Sequence, residues 1–262
     1  MGSNVLEALI LPLTSREIND GRFKSFISQL RPIKTSNLSF VIIVNNRTHI
    51  SISEDLKALD SKFKSVDLIH LNIPTSDDIY STNSKWTPKY GWASGPNILF
   101  LSAMRHCTKF NTVLLIETDC IVKPTFLEDL ALFTCFSGGF LIAGTRYDGN
   151  TYMDANTLLF HHINGVALYN TGNPRFQTLI NNLDAYIVEE VKSTPFFAYD
   201  VAIIQLVLTR ILDTSTHSEW KRIYKDIITT NFIVNMSIPS DKSISMSHIN
   251  KHYPHHVILH KK

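Results

Sequence analysis

The stretch "NTVLLIETDCIVKP", residues 111–124, sets an acidic pair directly against an apolar run. Val113 to Ile116 is apolar and partly β-branched, the pattern of a strand buried on both faces of a parallel sheet. Glu117 and Asp119 follow at once, and Pro124 and Thr125 open a new helix. The two carboxylates therefore fall at or just past the end of a strand, which is where an open α/β sheet binds its ligands.

Working outward, Ala8 to Leu13 reads as a first strand, Ile18 to Leu30 as a helix and Leu38 to Val44 as a second strand. Asp55 to Phe63 reads as a helix, Val66 to Ile73 as a third strand, and Gly95-Pro96 starts a helix running to His106. This alternation predicts an α/β fold with a mostly parallel, doubly wound sheet flanked by helices. The second half predicts a mixed part: strands over 140–144, 156–168, 231–236 and 257–260, and helices over 174–191, 200–212 and 218–228. The segment 74–94 reads as a long polar loop that carries Trp86, Tyr90 and Trp92. Loops of that length in compact domains are functional or disordered, and tryptophans argue against disorder.

The 262 residues, 44% hydrophobic and 18% charged, suffice for one large α/β domain without a second. Lys+Arg 25 against Asp+Glu 23 leaves a net charge of +2, so no nucleic-acid or membrane surface is expected. Ala8 to Leu13 is too short to span a bilayer and lacks a basic segment before it, so a soluble, cytoplasmic protein is expected. Cys107, Cys120 and Cys135 lack CxxC spacing and read as buried free thiols. The sequons at Asn37, Asn46 and Asn235 are then expected to be unused.

Neither GxGxxG nor GxxxxGK[ST] is present. A sheet that binds a nucleotide diphosphate without such a loop needs another source of positive charge, and a divalent cation held by strand-end carboxylates supplies it. On an extended backbone residues 117 and 119 point the same way, so both reach one cation. The plain alternative is that the pair ends a strand and caps the helix near Pro124.

"VLLIETDCIVKPTFLEDL", residues 113–130, resembles the central segment of glycosyltransferases of the GT-A fold, whose DXD motif holds Mn²⁺ or Mg²⁺ against the donor diphosphate. "GPNILFLSAMRHC" before it and "HHINGVALYN" after it are similar too, while Glu117 departs from the motif's first position. The resemblance implies a single domain over 1–262, with a nucleotide-sugar-binding half at 1–119 and an acceptor-binding, catalytic half at 120–262. It implies donor contacts from Pro12, Thr14, Arg16, Asn45, Asn97, Glu117, Thr118 and Asp119. It implies metal ligation by Asp119 and by His260, the last histidine of "SHINKHYPHHVILHKK". Asp200, in "FFAYDVAIIQLVL", occupies the place of the general base of inverting enzymes, and Trp92, Asn164, Gly165 and Tyr199 would line the acceptor. Phe196 and Phe197 would add an apolar wall, Glu189 and Glu190 are weaker base candidates, and the 74–94 loop would close over the donor.

Each position also has an ordinary structural role open to it. Thr14 or Ser15 suits a helix N-cap beside Glu17, Asp200 suits another, and Asn164-Gly165 suits a bulge or a hairpin turn. The expected activity is a metal-dependent, inverting transfer of a sugar from a nucleotide-sugar donor to a glycan or glycoconjugate hydroxyl. The alternatives are a sugar-nucleotide nucleotidyltransferase, whose glycine-rich basic loop "LPLTSREINDG" lacks, and a non-catalytic carbohydrate-binding module on the same fold.

Overall fold

The computed structural model describes residues 5–34, 37–46, 53–81, 83, 85–146, 162–236, 251 and 254–261. Strand β1 (Leu6–Leu13) pairs in parallel with β2 (Ser39–Asn45) on one edge and β4 (Thr112–Leu115) on the other. β3 (Ser65–Leu71) adds in parallel beyond β2. Past β4 the sheet turns mixed: β7 (Ile163–Tyr169) runs antiparallel to it, β6 (Ile142–Arg146) antiparallel to β7, and β8 (Ile227–Thr229) parallel to β6. The order β3-β2-β1-β4-β7-β6-β8 places β1, β4 and β7 at the centre of this sheet. A second sheet holds β5 (Cys120–Val122), β10 (Ile258–Lys261) and β9 (Ile233–Met236) in that order.

Period-two burial explains why β1 is apolar throughout its centre. Ala8 and Ile10 face one core together with helices α4 (Ser94–His106), α6 (Pro174–Glu190), α7 (Tyr199–Leu212) and α8 (His217–Lys225). Leu9, Leu11 and Leu13 face another with α2 (Arg22–Leu30), α5 (Phe126–Phe136) and the small sheet. In α2, Phe23, Phe26, Ile27 and Leu30 form the buried stripe. Each such side chain stabilises by about 1.5–3 kcal/mol on burial, more than any single-residue helix propensity. Packing therefore holds this helix.

Several elements depart from expectation. The helix read over 18–30 is two, α1 (Ser15–Asn19) and α2, because Gly21 takes φ +81° and turns the chain between them. The helix read over 218–228 ends at Lys225, and the β-branched run after it pairs with β6 as β8. α3 (Ser53–Asp60) ends before Phe63, and residues 156–161 of an expected strand lie outside the described residues. Cys107 and Cys120 are buried, but Cys135 is exposed near the end of α5.

No described residue of 72–93 belongs to a helix or strand, as expected of a long loop, yet its root is bonded into the fold. Trp92 donates its backbone N–H to the Pro195 carbonyl at 2.7 Å, and its own carbonyl accepts from the Ser81 N–H at 2.9 Å. Asn97, with no exposure, donates through its amide to the Tyr90 and Phe197 carbonyls at 3.1 and 2.9 Å, and its Oδ1 accepts from the Tyr199 N–H at 2.8 Å. One side chain thus ties the loop root to the start of α7. Asn97→Ala leaves these buried groups unpaired and should lower unfolding stability by about 1–3 kcal/mol. Urea unfolding checks this; an unchanged midpoint would show that the bracket contributes nothing.

Candidate functional site

Between β4 and β5 the chain makes a tight turn, with the Cys120 N–H donating to the Glu117 carbonyl at 3.2 Å. Glu117 and Asp119 therefore converge through a turn, not through alternation along an extended strand as the sequence suggested. The turn also moves the chain from the large sheet to the small one. There β10 pairs antiparallel with β5 and parallel with β9, so that Cys120, His260 and Asn235 stand in one row.

That row brings His260 to the acidic pair. Its Nε2 is 3.2 Å from Glu117 Oε2 and 3.3 Å from Asp119 Oδ1, and its Nδ1 is 3.1 Å from Asn235 Oδ1. The Asn235 amide donates in turn to the Thr145 and Arg146 carbonyls, which fixes its oxygen towards the imidazole. Nδ1 therefore donates to Asn235, and Nε2 faces the carboxylates, to which it donates when the ring is protonated. Asn235 was read only as a sequon; its amide is instead enclosed in the site. Burial works to lower the pKa of His260, but Asp119 and Glu117 outweigh it and push it up to about 9.

Ligand atoms of Glu117, Asp119 and His260 lie within 4.8 Å of one another. Asp119 Oδ1 is buried and accepts no well-formed hydrogen bond. Two carboxylates with one oriented imidazole are a donor set suited to Mn²⁺, and less selectively to Mg²⁺. The residues present thus fit a divalent cation.

A cleft of about 220 Å³ opens beside this cluster at the ends of β1 and β4. Of the expected donor residues, Pro12, Thr14, Glu117 and Asp119 line it. Arg16 is exposed and does not; Arg22 lines the cleft in its place, held by Asp20 through Nε at 2.9 Å and Nη2 at 2.8 Å. Gly21, with its left-handed backbone, stands between the two arginines as the N-cap of α2. Asn45 is buried and gives its amide to Asp78 at 2.8 Å, outside the cleft lining. Asn97 is committed to the bracket described above. Thr118 is also buried, with its hydroxyl donated to Glu17, a cleft residue that sequence reading treated only as capping.

Of the expected acceptor residues, Tyr199 lines the cleft, stacked on Phe100 with centroids 3.9 Å apart. A Cβ on Gly165 would lie 2.0 Å from the Tyr199 hydroxyl, so only glycine allows the ring this place. Burial, reinforced by Tyr169, Glu117 and Asp200, pushes the Tyr199 phenol well above its ordinary pKa. The β6–β7 register slips at this point: Gly144 pairs with Ala167 and Arg146 with Ile163, so residues around Asn164-Gly165 bulge and make no hairpin turn. Asn164 is buried there, with Oδ1 accepting from the Val166 N–H at 3.3 Å. Trp92 belongs to the loop root, and Tyr80 and Trp86, at 68% and 61% exposure, are the aromatics that stand out from that loop.

Asp200 is not an N-cap. Ala198 holds that position, and Asp200 sits second in α7, its Oδ1 accepting from the Val201 N–H at 2.9 Å. Its other oxygen lies 3.6 Å from Nε2 of the buried His162. It borders a small apolar space by Ile163 and Ile203, not the cleft that Tyr199 lines. Of the C-terminal histidines, His248 and His252 lie outside the described residues, as does His161; His255 is exposed and His256 buried.

The fold recurs in solved structures. Mouse xyloside xylosyltransferase 1 superposes with a TM-score of 0.53 at 12% identity, over 98% of this chain and 97% of that one. The fold is that of the GT-A glycosyltransferases. An active-site variant of LgtC matches this GT-A-like chain with a TM-score of 0.53 at 11% identity, over 97% of this chain and 86% of that one. The bifunctional glycosyltransferase WbbM matches with 0.53 at 13% identity, where 98% of this chain spans 45% of that one. At these identities the likeness is one of fold. No family model and no curated protein sequence matches the chain.

Because the folded pKa of His260 lies above its unfolded value of about 6.5, the proton stabilises the metal-free fold. That contribution is complete below about pH 6.5 and is lost as pH rises through about 9. In EDTA, urea midpoints of the native chain should fall over this range relative to those of His260→Gln. Parallel curves would contradict the assignment.

Proposed function

We propose that this chain is a metal-dependent glycosyltransferase that moves a sugar from a nucleotide-diphosphate donor to a hydroxyl of a glycan or glycoconjugate. The observation that carries the proposal is the Glu117–Asp119–His260 cluster, set beside a cleft at the strand ends of a GT-A fold. A bound Mn²⁺ or Mg²⁺ supplies positive charge for the leaving diphosphate. Asp119, Glu117 and His260 would hold it. Thr14 and the fixed Arg22 guanidinium suit the donor's ribose and phosphate oxygens. The Phe100–Tyr199 stack gives a sugar ring an apolar wall. The free cysteines suit a reducing compartment, which supports a cytoplasmic setting. Among the described residues no helix is long and apolar enough to cross a membrane.

Titration of a nucleoside diphosphate by calorimetry, with Mn²⁺ and with EDTA, tests the metal reading. Binding should need the ion. Asp119→Ala, which removes the buried oxygen, should weaken Mn²⁺ by more than about 100-fold, beyond the usual loss from an outer-shell partner. Glu117→Ala should cost less. Equal affinity in both buffers would overturn the metal role.

For the acceptor we assign Asp200 as general base in a single, inverting displacement. Two features support it: the carboxylate sits in the first turn of α7, next in sequence to the cleft residue Tyr199, and His162 stands beside it. Asp200→Asn should cut turnover by about 10² to 10⁴ with Mn²⁺ affinity unchanged. The anomeric configuration of the product, read by NMR, should be opposite to that of the donor. Retention, or full activity of the variant, would remove Asp200 from this role.

A further inference from the structure

Glu17 is the ionisable cleft residue that the proposed reaction leaves without a task. Its carboxylate joins two segments that are distant in sequence. Oε2 accepts from the Thr14 N–H at 2.8 Å and from the Thr14 hydroxyl at 2.6 Å, and Oε1 accepts from the Thr118 hydroxyl at 2.5 Å. Thr118 is the middle residue of the Glu117-Thr118-Asp119 turn and is 4% exposed. Without Glu17 its hydroxyl would be buried with no acceptor shown for it, at a cost comparable to a lost hydrogen bond. The hydrogen bond spans 101 residues and fastens the turn that bears both acidic ligands to the loop that leaves β1.

We propose that Glu17 is a positioning residue for the metal turn: through Thr118 it holds Glu117 and Asp119 in the geometry that accepts the cation before donor arrives. The proposal rests on the metal-dependent reading given above. Hydrogen bonds to a carboxylate of this length are the strong kind, and outer-shell bonds of this type orient metal ligands by removing their freedom to rotate. The same carboxylate fixes Thr14, so the donor loop and the metal turn move as one body. A shift at either is felt at the other. Arg22 lines the same cleft; its pKa is raised, by Asp20 first, then also by Glu17 and Asp119, so the negative charge of Glu17 has a cation near it.

Mn²⁺ titration of the full chain, by calorimetry and by the electron spin resonance of free Mn²⁺, separates position from charge. Thr118→Val removes the hydroxyl without altering charge and should weaken Mn²⁺ by about 10–100-fold, the range for outer-shell partners. Thr118→Ser, which keeps the hydroxyl, should stay close to the native affinity. Glu17→Leu, which removes the acceptor, should weaken Mn²⁺ by a similar factor, and the Glu17→Leu, Thr118→Val double variant should bind no worse than the weaker single one, since both remove the same linkage. If Glu17→Gln lost affinity while Thr118→Val did not, Glu17 would act by charge alone and the proposal would fail. If both lowered the urea midpoint in EDTA but left Mn²⁺ affinity intact, the contact would be merely structural, which also overturns it. Should the Glu17 variants not fold, the Thr118→Val and Thr118→Ser pair decides alone. A native chain that bound no Mn²⁺ would instead refute the metal reading itself.

Discussion

The hydrogen bond from the Cys120 amide to the Glu117 carbonyl closes the turn on which the rest of the site depends. It ends β4 in the large sheet and starts β5 in the small one, so the chain changes sheets within the acidic segment. A straight continuation of β4 would have carried Asp119 along the strand and left no edge for β10. Because the turn exists, β10 pairs with β5 and sets His260 opposite Cys120. The candidate ligands are thus assembled by sheet pairing, which is rigid, and not by a flexible loop.

Around this turn the polar groups are arranged in shells. Asn235 fixes one ring nitrogen of His260, Glu17 fixes Thr118, and Asp20 fixes Arg22. Each contact removes a rotation from a group at or beside the cleft. Without a cation, two carboxylates this close would repel, and the buried imidazole meets that repulsion by keeping its proton. A proton and a divalent ion therefore answer the same electrostatic demand.

A second constraint comes from the opposite wall. Asn97 secures the loop root and the first backbone N–H of α7 together, and Gly165 leaves space for the Tyr199 hydroxyl. The stacked Phe100–Tyr199 pair is consequently held from three elements, α4, α7 and β7. The root of the 74–94 loop belongs to this wall, while Tyr80 and Trp86 of the same loop are exposed.

What the sequence determined by itself is the α/β alternation and the place of the acidic pair. Runs such as Phe40 to Val44 in β2 and Val113 to Leu115 in β4 are apolar because both faces are buried, and that signal is local to the chain. Even the position of His260 at the end of "VIL" could be read from a strand-like run. Only the tertiary structure decided which polar residues face the cleft. Arg16 was the arginine expected at the donor, yet Arg22, across the Gly21 turn, is the one that lines the cleft. Asn97 looks like a sugar contact until Phe197 and Tyr199, a hundred residues on, take its amide. Asn235, Glu17 and the true cap of α7 were illegible for the same reason. Their partners are set by which strands pair and how helices dock, and hydrogen-bond partners at that separation leave no periodic trace in the chain.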